Sequence, residues 1–119
     1  MEGKGREGQN RDGIWIIDAK ANTVYANDRM AEILGTIVAD LMGKPSFEYV
    51  FPKDRERAQK LFERKEGGDS QPFYFHIRRK DGTPLAVDVQ GTPMQDTDGE
   101  FIGIVGTFRV VESMSARSL

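Results

Sequence analysis

The chain is 119 residues long, enough for one domain with a core of its own and too short for two. Its 38% apolar and 30% charged residues are the composition of a soluble globular domain, and no apolar run reaches transmembrane length. The absence of cysteine and the presence of one histidine exclude disulfides, thiolate metal sites, cysteine nucleophiles and multi-histidine centres, and a net charge of −2 argues against a nucleic-acid surface.

Residues 1–12 carry one apolar side chain, Met1, among balanced charges, and read as a flexible leader or linker. Structure is expected from Gly13, where Ile14-Trp15-Ile16-Ile17 forms a short β-branched strand. A turn over Asp18–Asn22 leads to a second strand, Thr23-Val24-Tyr25-Ala26. Asn27 is a suitable N-cap for a short helix with Met30, Ala31, Ile33 and Leu34 on one face, and Gly35 is its stop. Between Thr36 and Val50 the signals are broken by Gly43-Lys44-Pro45, which leaves room for one or two single-turn helices. A longer helix is predicted from about Lys53 to Glu66, with Pro52 near its first turn and Gly67-Gly68 at its end. Ala58, Leu61 and Phe62 share its apolar face; the other face holds six basic and four acidic residues and reads as solvated.

The rest is strand and hairpin. Phe73, Phe75 and Ile77 alternate with Tyr74, His76 and Arg78, and Asp81-Gly82 marks a tight turn. Leu85, Val87 and Val89 alternate along the next strand, Asp96–Gly99 makes a second hairpin, and Ile102, Ile104, Gly106 and Phe108 alternate along the last. Helices in the middle and strands at both ends define an α+β fold with the helices on one face of an antiparallel sheet.

These elements, in this order, resemble a PAS domain, the sensor module of many bacterial and archaeal signalling proteins. The resemblance rests on Asp18 ending the first strand, on Tyr25-Ala26-Asn27, and on Ala39-Asp40-Leu41-Met42-Gly43-Lys44 followed by Phe51-Pro52-Lys53-Asp54-Arg55. It continues through Arg78-Arg79-Lys80-Asp81-Gly82-Thr83, Thr92-Pro93-Met94-Gln95-Asp96 and Gly99-Glu100, so that it spans nearly all of the ordered chain. It implies a PAS domain over residues 13–111, a C-terminal linker stub over 112–119, and a five-stranded antiparallel sheet in order 2-1-5-4-3 that cups a small hydrophobic cavity. It also implies a non-catalytic module on the cytoplasmic side, coupled in cis or in trans to an output domain such as a histidine kinase or cyclase. Where the family usually carries Asp-Ile-Thr after the last strand, this chain has Val110-Val111-Glu112.

No cofactor is expected. The light-sensing flavin branch of the family needs a cysteine, and its polar flavin contacts would fall on Ile77, Val87 and Phe108, which are apolar. The haem branch carries its histidine on the long helix, where this chain has none; His76 sits on a strand and reads as an outer-face residue. Trp15 is either a core aromatic or a stacking platform for a redox flavin. Gly3–Gly8 matches G-x-G-x-x-G without a strand before it, Asp96–Gly99 lacks the ligands of a calcium loop, and Arg78-Arg79-Lys80 is too small a basic cluster for phosphate recognition. No metal site is expected, and no serine has a base to activate it.

Alternation turns Trp15, Ile17, Phe75, Ile77, Val87, Val89, Ile104 and Phe108 inward, opposed by Ile33, Leu34, Phe47, Val50, Leu61 and Phe62. Two readings fit this set: a pocket for a small apolar ligand, for which the small Gly106 leaves space, or a filled core. The opposite face would present Ile14, Ile16, Tyr74, His76, Ala86, Val105 and Thr107, apolar enough to be covered, and a homodimer through it is the expected cover. The functional expectation is a sensory module that relays ligand occupancy or packing to an output domain. The alternative is a ligand-free dimerisation module.

Overall fold

The computed structural model describes residues 12–69 and 71–111. Apart from Asp12, the expected leader over 1–12 and linker stub over 112–119 lie outside the described residues, as does the Gly3–Gly8 motif. The elements are β1 (Gly13–Asp18), β2 (Thr23–Ala26), α1 (Asp28–Leu34), α2 (Val38–Leu41), single 3-10 turns at Ser46–Tyr49 and Pro52–Asp54, α3 (Arg55–Glu66), β3 (Phe73–Arg78), β4 (Pro84–Gln95) and β5 (Phe101–Val110). The strands form one antiparallel sheet in the order β2-β1-β5-β4-β3, and the helical segments pack on one of its faces, as the resemblance implies. Among the described residues, no helix is long and apolar enough to cross a membrane.

Asn27 fixes the join between sheet and helix. Its Oδ1 accepts from the Met30 N–H at 2.8 Å, capping α1, and from the Ile14 N–H at 2.9 Å on β1. Its backbone N–H donates to the Ile14 carbonyl and its Nδ2 to that of Asp12. At the far end Gly35 takes the left-handed conformation (φ 76°) that closes the helix. The Asp18–Asn22 turn is held by Asp18 Oδ1, which accepts from the N–H groups of Lys20 and Asn22.

Three details depart from the sequence pattern. The long helix begins at Arg55, because the Asp54 N–H bonds back to the Phe51 carbonyl in a 3-10 turn that starts at Pro52. Strand β4 continues through Pro93 to Gln95. Its pairing with β3 stops at Val89 opposite Phe73, so Pro93 sits where β3 no longer flanks β4 and its missing N–H breaks no ladder to that strand. Ile102 is the unpaired residue of a β-bulge: Met94 faces Gly103 and Gln95 faces Phe101, which leaves Ile102 exposed although alternation places it inward.

Both outer edges of the sheet are covered by the helical connection. On β2, Thr23 receives a bond from the Gly43 N–H and donates its own N–H to the Lys44 carbonyl, and the Ser46 N–H donates to Ala21. On β3, the Phe51 N–H donates to the His76 carbonyl, the His76 N–H donates to Asp54, and Arg57 donates to the Tyr74 carbonyl.

Candidate ligand cavity

A cavity of about 80 Å³ lies between α3 and the inner face of the sheet. Its floor is Trp15 and Ile17 of β1, Phe75 and Ile77 of β3, Val89 and Gly91 of β4, and Ile104, Gly106 and Phe108 of β5. Its roof is Ala58, Leu61, Phe62 and Lys65 of α3, with Ser46, Phe47 and Val50 from the preceding connection and Phe73 at the start of β3. The walls are largely aromatic. Trp15 meets Phe108 and Tyr49 at centroid distances of 5.5 and 5.8 Å, and Phe62 bridges Phe47 and Phe101 edge-on at 5.8 Å to each.

The polar side chains of the lining bond to the protein itself, and all but one are uncharged. Trp15 Nε1–H donates to Thr23 Oγ1 at 2.9 Å, and that hydroxyl donates in turn to the Lys44 carbonyl. Ser46 Oγ donates to the Ala21 carbonyl at 2.8 Å. Lys65 is the exception. Its side chain is 2% exposed, and its Nζ donates to the Gln71 carbonyl at 2.6 Å and lies 5.3 Å from the centre of the Phe73 ring. Among the described residues its ammonium has no carboxylate within ion-pair reach. Burial lowers its pKa; Asp69 pulls the other way and the neighbouring Arg64 reinforces the fall.

Ten of the twelve pocket residues expected from sequence line this space: Trp15, Ile17, Phe47, Val50, Phe62, Phe75, Ile77, Val89, Ile104 and Phe108. Ile33 and Val87 are buried in the same core but stand away from the cavity wall. Gly106 does not leave open space as expected, because a Cβ there would come within 2.9 Å of the Phe108 ring, which already fills it. Gly91 also lines the space, and a Cβ on it would stand in contact with Lys65 Cε and Ile104 Cγ2, both at 3.4 Å. The solvated-face reading of α3 fails at Lys65. The residue lies at the i+7 position from Ala58, in step with Leu61 and Phe62, and that spacing is the sequence signal for it.

His76 lies outside the cavity lining, on the other side of the sheet. Its side chain is exposed, and its backbone N–H and Nδ1 both face Asp54 Oδ2, at 2.8 and 3.0 Å. Ile14, Ile16, Val105 and Thr107 share that face and are half-buried, and Tyr74 is exposed on it.

A sheet in the order 2-1-5-4-3 with one longer helix over a small apolar space defines a class of cup-shaped α+β module. Residues 8–111 match the model of the PAS fold, and the chain belongs to the PAS family. PAS domains as a family are sensory modules without catalytic machinery of their own. No curated protein matches the sequence. Among solved structures, the chain is similar to the PAS domain of a Colwellia psychrerythraea protein at 15% identity and TM-score 0.79, covering 92% of this chain and 95% of that one. It is similar to the PAS domain of an HTR-like protein from Haloarcula marismortui at 20% identity and TM-score 0.71, with 92% and 97% covered. A sensory box histidine kinase/response regulator from Burkholderia thailandensis matches at 18% identity and TM-score 0.73, with 99% and 90% covered.

Proposed function

We propose that this PAS domain takes a small, mainly apolar ligand in the cavity under α3 and passes its occupancy through β5 to an output domain such as a histidine kinase. The observation that carries this reading is the space of about 80 Å³ between α3 and the inner face of the sheet, lined almost wholly by apolar side chains. Its position supports relay. Ile104 and Phe108 of β5 touch the cavity, and β5 is the strand that leads to the C-terminal residues. A similar fold in a sensory histidine kinase is consistent with such an output. The reading includes neither flavin nor haem, since the chain has no cysteine for a photoadduct and α3 no histidine for iron. The purified protein is therefore expected to be colourless in the visible range.

The test is native mass spectrometry of protein purified from cells, followed by thermal shift against a library of small apolar compounds. We expect a bound species or a ligand-induced rise in Tm, abolished in Ala58→Phe, whose ring would occupy the cavity. Absence of both in the wild-type chain overturns the reading. A second reading, dimerisation through the outer face without a ligand, is favoured by the half-buried Ile14, Ile16 and Val105, which neighbour one another on β1 and β5, with the exposed Tyr74 on the same face of β3.

A further inference from the structure

Resting on the reading of the cavity as a ligand site, we propose that Lys65 makes it selective for small organic monocarboxylates, with the carboxylate on the Lys65 ammonium and the hydrocarbon part among the surrounding rings. The lysine is buried on the apolar face of α3, in a position where a leucine or methionine would complete the core. A cation enters such a place at a cost unless a counter-charge meets it, and among the described residues a neutral carbonyl, that of Gln71, and the face of Phe73 are what meet it. An ammonium has three donors, and among the described residues one is used. Asp69, the carboxylate whose charge acts on Lys65, is turned to the backbone, with its Oδ1 accepting from the Gln71 N–H at 2.9 Å. The other polar side chains of the lining, Trp15 and Ser46, donate to protein acceptors. Among the described residues, Lys65 is therefore the one charged side chain of the lining, and its ammonium has donors beyond the one given to Gln71. The lysine stem reaches the sheet at Gly91, where a Cβ would stand 3.4 Å from Lys65 Cε. A ligand that completes this arrangement brings one negative charge, two acceptor oxygens and a compact apolar body, and the small volume favours a short acid.

The experiment is calorimetric titration of the 119-residue chain with butyrate, isovalerate and benzoate, each against its neutral amide, and with toluene as an uncharged apolar probe. In the wild-type protein at least one acid is expected to bind ten-fold or more tightly than its amide. In Lys65→Met the acid and amide are expected to bind alike, with toluene binding unchanged. Equal binding of acid and amide to the wild-type chain, or selectivity that survives in Lys65→Met, overturns the proposal. Toluene binding without acid binding overturns the anion site and leaves the ligand cavity standing, whereas binding of no probe at all removes both. If Lys65→Met fails to fold, the ammonium resonance of Lys65 in wild-type protein decides the matter: benzoate moves it and benzamide does not, or the proposal falls.

Discussion

Asn27 and Lys65 show how differently single residues declare themselves. Asn27 has the residue type, the place before an apolar-periodic run and the contacts of a helix cap, and all three agree. Because its Oδ1 also holds the Ile14 N–H, Asn27→Ala strips two backbone donors of their acceptor. We expect a loss of about 2 kcal/mol, from about 1 for the cap and about 1 for the orphaned N–H, seen as a shift in the urea midpoint. Lys65 presents a conflict. Its type reads as surface and its spacing from Ala58 reads as core, and position prevails because the four-carbon stem packs as a hydrophobe while the head finds the Gln71 carbonyl. Lys65→Met is expected to stabilise the unliganded protein at pH 7 by about 1 kcal/mol, since an uncharged side chain fills the place without the desolvation cost. Burial sets the folded pKa of Lys65 below that of the unfolded chain, so between the two values the unfolded state binds more protons and stability rises with pH. Wild-type Tm is expected to gain on Lys65→Met as pH climbs towards about 10, a convergence that calorimetry at several pH values would measure.

At the scale of elements, period and turn chemistry carry most of the information. The alternation of Phe73, Phe75 and Ile77 gives β3 its buried face, and Asp81-Gly82 and Asp96–Gly99 fall in the two hairpins that order β3, β4 and β5. What period cannot encode is a change of phase. The bulge at Ile102 inserts a residue without altering the residue types around it, so alternation misplaces one side chain and then resumes at Ile104. Nor does it encode depth along an element. Ile33 and Val87 point into the core as their spacing requires, yet the cavity lies elsewhere along it. The pairing of the Pro52–Asp54 turn with β3 is likewise a contact between distant segments, invisible locally. There burial of Asp54 works to raise its pKa, but the His76 backbone N–H, the imidazole and nearby charge outweigh it and hold the carboxyl below its ordinary value. A carboxylate lowered on folding stabilises above its unfolded value and loses that contribution as pH falls through the folded one. The stability difference between wild type and Asp54→Asn is therefore expected to be full near neutrality and to shrink below about pH 4, as followed by circular dichroism.

For the whole molecule, the succession of elements read from the residues defines an antiparallel α+β fold, while the strand order β2-β1-β5-β4-β3 follows from the resemblance to the PAS family, because the pairing of β1 with β5 joins segments far apart in the chain. The cavity was legible only as a set of inward residues, since a pocket and a filled core draw on the same side chains. Association through the outer face is tested by light scattering at low concentration. The wild-type chain is expected to run as a dimer and Ile16→Asp as a monomer, and a monomer in both cases removes that reading. The covering of β2 and β3 by the segment between Gly43 and Arg57 narrows the routes by which copies can meet. Neither rim offers a ready run of unsatisfied amides to an incoming strand, and the stretch of β4 beyond Phe73 is interrupted by Pro93. Templated growth into fibres is thereby discouraged, and a subunit that seeks this module must recognise side chains instead of backbone.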